Sequence, residues 1–296
     1  MKLPNLLIAG VGRAGTTSTM YALNSHSDIW FITPQVKDRL RSKGHEDRIM
    51  HCEMHFFSFR YDKGLEWYSK FFEECGNNPK YLAEKSPSYF TLPGANDAFP
   101  RIKGDLTEDV KFILCLREPA ERSYSEWAHC KQADYGPSHL AYKNKPSFRE
   151  AIQDKSKDQT PPHNNWLLSS SDYYSQIESF LNFFNKEQLY ILINEEVKLR
   201  PHEEYKKLFD WLELDYGTFG EVPVTTGTDR HRQLALGDRG ENQPRRPIVP
   251  DFVNHANYER FGVLQDEDRE YLNKYFKESK DKLYKYMGRD IKIWEI

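Results

Sequence analysis

Glu53 and His55 stand two residues apart in Cys52-Glu53-Met54-His55-Phe56-Phe57. A carboxylate beside an imidazole is equipment for proton transfer. Residues at i and i+2 share a face only where the chain is extended, so both could enter one cleft while Met54 packs away from it. A partly buried Glu–His pair at a domain edge fits the same residues. Lys85 follows the short apolar run Tyr81-Leu82-Ala83, at a strand's carboxyl end, where α/β sheets place ligand-binding groups. A solvated lysine is the alternative. Arg117 ends the run Val110 to Leu116, and Ser125 lies about two turns into the helix that Pro119 opens. The two can converge on one anion, and an ion pair between Arg117 and Glu121 is the competing reading.

A fourth group precedes all of these. Leu6-Leu7-Ile8-Ala9 reads as a buried strand, Gly10-Val11-Gly12-Arg13-Ala14-Gly15 as a glycine turn, and Thr16-Thr17-Ser18 as the cap-competent start of a helix. Strand, glycine turn and helix N-terminus together form an anion site, because free N–H groups and the positive end of the helix dipole face one spot. A nucleotide triphosphatase loop needs a lysine after its second glycine. Here that position is Thr16, and the turn's cation is Arg13. The acid that would reach Mg²⁺ from the strand end at Leu116 is replaced by Arg117, which points to a second anion site.

These groups need a scaffold. Short apolar strands at 6–9, 29–32, 81–83, 110–116 and 188–194 alternate with helical patterns at 64–75, from Pro119, at 173–185, 205–214 and 266–287, the last ended by Gly288. This alternation predicts an α/β fold, a parallel sheet covered by helices on both faces. The stretch 35–50 reads as a loop or helix, and 134–165 and 225–250 as long irregular excursions. The second excursion carries Arg230, His231, Arg232, Arg239, Arg245 and Arg246 among glycines. It can close over an anionic ligand, with Arg245 and Arg246 as candidate cofactor contacts, or be a solvated linker.

The chain has 296 residues, 38% hydrophobic and 14% aromatic, enough for one large domain over 1–296. A net charge of -3 gives no general attraction to nucleic acid or membrane. No apolar run of ~18 residues predicts a span, and the first strand begins too close to Met1 for a signal peptide. Cys52, Cys75, Cys115 and Cys130 show no CxxC spacing, so the expectation is a reduced, cytoplasmic protein without structural zinc.

Taken together, the motifs resemble those of the PAPS-dependent sulfotransferases, most closely the heparan sulfate glucosaminyl (3-O-type) branch. GVGRAGTTS is similar to that family's loop for the 5′-phosphosulfate, EMHFF to its catalytic segment, EKSPSYF to its lysine-bearing strand end and LREPAERSYSEW to its 3′-phosphate motif. The likeness extends through SDYYSQIESFLNFF and LYKYMGRDIKIW. It implies a P-loop-like three-layer α/β fold with PAPS as donor, 3′,5′-ADP (PAP) as product and no metal. Gly12, Arg13, Ala14, Gly15, Thr16, Thr17 and Ser18 would hold the phosphosulfate, and Arg117 and Ser125 the 3′-phosphate. Glu53 would be the general base, supported by His55, Lys85 and Arg13. The acceptor would be a hydroxyl on a carbohydrate or glycoconjugate, with a small-molecule, polyketide or lipid hydroxyl as the alternative. A nucleotide-binding regulatory protein is the rival outside catalysis. Departures include Arg13 where lysine is frequent, Cys52 where lysine precedes the acid, Ser58 where Asp often follows the two phenylalanines, and no paired cysteines near the C-terminus.

Overall fold

The computed structural model describes residues 1–33, 36, 53–76, 78–91, 94–132, 147–153, 166–218 and 262–295. Five strands, β1 (Leu6–Gly10), β2 (Ile29–Phe31), β3 (Tyr81–Lys85), β4 (Lys111–Leu116) and β5 (Leu189–Ile193), form one parallel sheet in the order β2-β3-β1-β4-β5. The helices of eight or more residues are α1 (Thr16–Leu23), α2 (Gly94–Asp105), α3 (Pro119–Gln132), α4 (Tyr173–Leu181), α5 (Pro201–Trp211) and α6 (Asp266–Met287). The crossover from β1 to β2 runs opposite to those that follow. Right-handed connections therefore put α1 on one face and α2 and α3 on the other.

Strand β1 is central, and Leu6 to Ala9 are fully buried, as a strand covered on both faces requires. Its register pairs Ile8 with Lys85 on one side and Gly10 with Leu114 on the other. The carboxyl ends of β1, β3 and β4 therefore lie level at one sheet edge. The turn after β1 is tied to the tip of β4 by the Val11 N–H, which donates to the Cys115 carbonyl at 2.9 Å.

Two aromatic packs brace this edge. Phe90, Phe99, Phe112, Phe180 and Phe184 join β4 to α2 and α4, with Phe112 and Phe180 centroids 5.0 Å apart. A Cβ on Gly10 would sit 2.6 Å from the Phe90 Cβ, so this close approach needs glycine. The second pack stacks Phe56 on Tyr68 at 4.2 Å, with Phe57 and Phe72 edge-on to Tyr68. It anchors the segment that carries Glu53 and His55.

The elements differ from the sequence reading in five places. Helix α2 has no counterpart there, because Gly94, Pro100 and Gly104 hide its periodicity. The helical pattern at 64–75 is an α-turn, Leu65–Ser69, followed by a 3₁₀ turn, Lys70–Phe72. Strand β3 continues through Glu84 and Lys85, α5 begins earlier, at Pro201, and within 134–165 the described residues Phe148–Gln153 form a helix against Tyr124 and Trp127. Gln35 to Met50 apart from Val36, Cys52 and the 225–250 stretch, with Arg245 and Arg246, lie outside the described residues.

Candidate active site

The glycine turn leads into α1 through Gly15, whose φ of 92° is a left-handed conformation suited to glycine. Gly15 itself is the N-cap and no side chain caps the helix, so Thr16, Thr17 and Ser18 form its first turn instead of capping it. Thr19 N–H is bonded to the Gly15 carbonyl at 3.0 Å, and the N–H groups of Thr16 and Thr17 precede the helix's own ladder. They face the edge where β1, β3 and β4 end.

Lys85 joins this turn to the acid. Its side chain is 1% exposed, and Nζ lies 2.9 Å from Thr17 Oγ1 and 2.9 Å from Glu53 Oε1. Glu53 forms a parallel bridge with Lys85, which explains why it is extended and why its side chain meets the lysine. The other carboxylate oxygen, Oε2, is 3.1 Å from His55 Nε2. Met54 is fully buried, directed away from the cleft as the alternation requires. His55 departs from the extended chain, with φ 49° and ψ 28°. This left-handed residue starts the one-turn helix Phe56–Phe59 and swings the ring back onto Glu53.

Ser86 and Ser88, which the sequence reading left without a role, fix that ring. The His55 N–H donates to Ser86 Oγ at 2.8 Å, and His55 Nδ1 meets Ser88 Oγ at 2.7 Å. Ser88 Oγ is in turn 2.6 Å from Ser58 Oγ. A hydroxyl pair thus orients the imidazole where Asp often follows the two phenylalanines. The sequence signal was the Ser-Pro-Ser spacing, which places both hydroxyls beside a proline-fixed turn. Burial pushes the Glu53 carboxyl up, but the Lys85 ammonium and the bond to His55 more than reverse it and hold it down to about 2. Glu53 is therefore a carboxylate at neutral pH.

The residues expected to form the second anion site meet those of the first. Arg13, with φ 70°, directs Nε to Ser125 Oγ at 3.4 Å, so the turn and helix α3 touch. Arg117, almost fully buried, sends Nη2 to Glu121 Oε2 at 3.2 Å, the ion pair weighed from sequence. Burial lowers the Arg13 pKa, with Arg117 and Arg122 adding to that and Glu126 opposing it. The guanidinium stays protonated at any working pH. Arg117 and Arg122 are each paired with a carboxylate four residues on, Glu121 and Glu126, so a bound anion would compete with these acids for the guanidiniums.

Two further residues escaped the sequence reading. Arg122 is 1% exposed and spans Gly12 O at 3.1 Å, Ser171 Oγ at 3.1 Å and Glu126 Oε2 at 3.3 Å. It fixes the glycine turn from below. Asn194, just past β5, lies so close to Gly15 that a Cβ there would meet its Oδ1 at 2.6 Å. Cys115, raised to about 12 by burial, is a core thiol beside Thr19.

Glu84, the neighbour of Lys85 on β3, faces the opposite way into the aromatic pack. It accepts a hydrogen bond from the Tyr89 hydroxyl, which itself accepts the Phe57 N–H at 3.3 Å. Its Oε2 is buried without a hydrogen bond. Burial raises this carboxyl to about 7, only partly offset by the Tyr89 bond. With the native value above the ordinary 4.5, the folded state holds the proton more tightly. Stability therefore falls as pH rises from ~4.5 to ~7, by about 3 kcal/mol in total. Urea melts at pH 5 and pH 8 should show this loss in the wild type and a smaller one in Glu84→Gln. Parallel losses would remove Glu84 from this role.

Among the described residues no group of three or more His, Cys, Asp or Glu is placed to hold a metal ion, and no helix is long and apolar enough to cross a membrane. The sequence matches the sulfotransferase domain family over residues 3–226. The chain belongs to this family. It is 24% identical, over 99% of its length and 67% of the relative's, to the membrane-associated sulfotransferase kil1 of Dictyostelium discoideum. It is 25% identical to the mouse bifunctional heparan sulfate N-deacetylase/N-sulfotransferase 1, over 99% of this chain but 31% of that enzyme. The chain thus spans about a third of the bifunctional relative. A solved sulfotransferase from Alicyclobacillus acidocaldarius aligns over 100% of both chains with a TM-score of 0.66 and 18% identity, a likeness of fold. This sulfotransferase is a transferase enzyme, and the P-loop-like α/β architecture read from its sequence is the one it has.

Proposed function

We propose that this enzyme moves a sulfuryl group from PAPS to an acceptor hydroxyl, with Glu53 as the general base. The observation that carries the reading is the continuous set Thr17–Lys85–Glu53–His55, which joins an anion-binding turn to a carboxylate through one buried lysine. The donor set suits a ligand with anions at two ends. Thr16 and Thr17 N–H groups with Thr17 Oγ1 and Lys85 would hold the 5′-phosphosulfate, and Arg117, Ser125 and Arg13 the 3′-phosphate. PAPS would supply the sulfuryl group in activated form.

The protein's own residues then have separate tasks. Glu53 accepts the proton of the acceptor hydroxyl. His55, locked by Ser88, keeps the carboxylate aimed. A carboxylate held at about 2 is a weak base, and Lys85 is what holds it there. Lys85 also contacts Thr17 on the donor side, so any pull of negative charge on Lys85 returns basicity to Glu53. Arg13 and Lys85 supply fixed positive charge where the leaving group's charge develops.

The carbohydrate sulfotransferases among the relatives favour a saccharide acceptor. Thermal shift tests the donor. PAP is expected to raise the melting temperature by several degrees at 100 times its Kd, the equivalent of ~2.7 kcal/mol, whereas ATP with Mg²⁺ leaves it unchanged. Stabilisation by ATP alone would overturn the donor assignment.

A further inference from the structure

Phe56, Phe57 and Phe59 lie in one helical turn, but they are used differently. The first two are fully buried, and Phe59 is 65% exposed. A single exposed apolar side chain is ordinary on a protein surface, so the exposure alone decides nothing. Position does. The Phe59 ring centroid lies 5.8 Å from that of His55, four residues earlier on the same turn. The turn is held firmly, since the Phe59 N–H donates to the His55 carbonyl at 2.8 Å and the Arg60 N–H to the Phe56 carbonyl at 3.0 Å. The ring is therefore presented on a fixed support and not on a loose loop.

The order of contacts gives its side of the site. Thr17 on the donor turn touches Lys85, Lys85 touches one oxygen of Glu53, His55 touches the other, and Phe59 lies against His55. Phe59 thus stands at the end of this series farthest in contacts from the anion-binding turn. Among the described residues Tyr61, two positions on, is also exposed, but its ring is covered by the Arg101 guanidinium at 4.7 Å, and Leu199, Val263 and Tyr275 belong to other segments.

We infer that Phe59 is the acceptor-side platform of the site and selects an acceptor whose hydroxyl is carried on a ring with an apolar face. Such a face belongs to an aryl ring or to one side of a pyranose, and both stack on an aromatic side chain at little entropic cost, because phenylalanine has only two side-chain torsions. An acyclic alcohol would gain no comparable contact. The inference rests on Glu53 acting as the base.

The test compares Phe59→Ala and Phe59→Trp with the wild type on three probes: 2-naphthol, N,N′-diacetylchitobiose and 1-octanol. Phe59→Ala should raise KM for at least one ring acceptor about tenfold, Phe59→Trp should restore it, and octanol should be indifferent. The responding probe identifies the ring as aryl or saccharide. Binding of the ring probes to PAP-loaded protein, followed by calorimetry, should weaken by the same factor in Phe59→Ala. PAP affinity should stay at the wild-type value, since Phe59 does not touch the donor turn. Unchanged KM for both ring acceptors, a wild type that uses octanol alone, or an equal fall in PAP affinity would each overturn the platform. A wild type that does not bind PAP would instead overturn the donor assignment.

Discussion

Replacing Glu53 by glutamine should lower turnover by ~10²–10⁴, the usual share of a positioned general base, while PAP affinity does not fall, because the carboxylate that competes for Lys85 is gone. The reason is geometric. Glu53 contacts Lys85 and His55, and it has no contact with Arg13, Arg117 or Ser125. Glutamine keeps an oxygen for Lys85 but accepts no proton at neutral pH. Lys85, 1% exposed, loses its charge partner in this variant, so some loss of stability is expected alongside. Melting temperature and PAP titration separate that loss from the catalytic one. Single-turnover rates with pre-bound donor give the chemical step directly. Equal falls in rate and in PAP affinity would show that Glu53 serves the donor site and is not the base.

The parts of this site that could be read from sequence were those with strong local signals. The glycine turn between an apolar strand and a hydroxyl-rich helix start, the core strand ending at Arg117, and the Glu-x-His pair each announce themselves within about ten residues. Lys85 was legible as a strand-end cation, yet only the structure shows it joining Thr17 to Glu53, since that depends on β3 lying beside β1. Pairing order is a long-range property that no local pattern carries. Arg122 and Asn194 were missed for the same reason, because their partners Gly12 and Gly15 lie far away in sequence and meet them only once the sheet forms. Helix α2 was hidden by a different cause. Two glycines and a proline lower its intrinsic propensity, and packing of Phe99 against Phe90 and Phe180 overrides that. Ser86 and Ser88 could be seen but not interpreted, since their partner is a histidine whose left-handed backbone directs it toward them.

Arg122→Met should be the most destabilising change in the site, by about 3–5 kcal/mol, the range for breaking a buried ion pair from one side. The side chain is 1% exposed and Glu126 beside it is 8% exposed, so the stranded carboxylate has little access to water. For a chain of this size the melting temperature should drop on the order of 10 °C. The bond from Nε to the Gly12 carbonyl is lost too, and with it the support beneath the glycine turn. PAP affinity should therefore fall as well, although Arg122 was not assigned to either phosphate. Lysine cannot restore the arrangement, because one ammonium lacks the planar fork that reaches Gly12, Ser171 and Glu126 together. The double variant Arg122→Met/Glu126→Gln distinguishes the two contributions. Removing the stranded charge should recover a large part of the melting temperature but little of the PAP affinity, since the turn remains unsupported. Recovery of both together would mean that the Gly12 contact is incidental. A single variant that melts within a degree or two of the wild type would mean that the buried pair does not hold the fold.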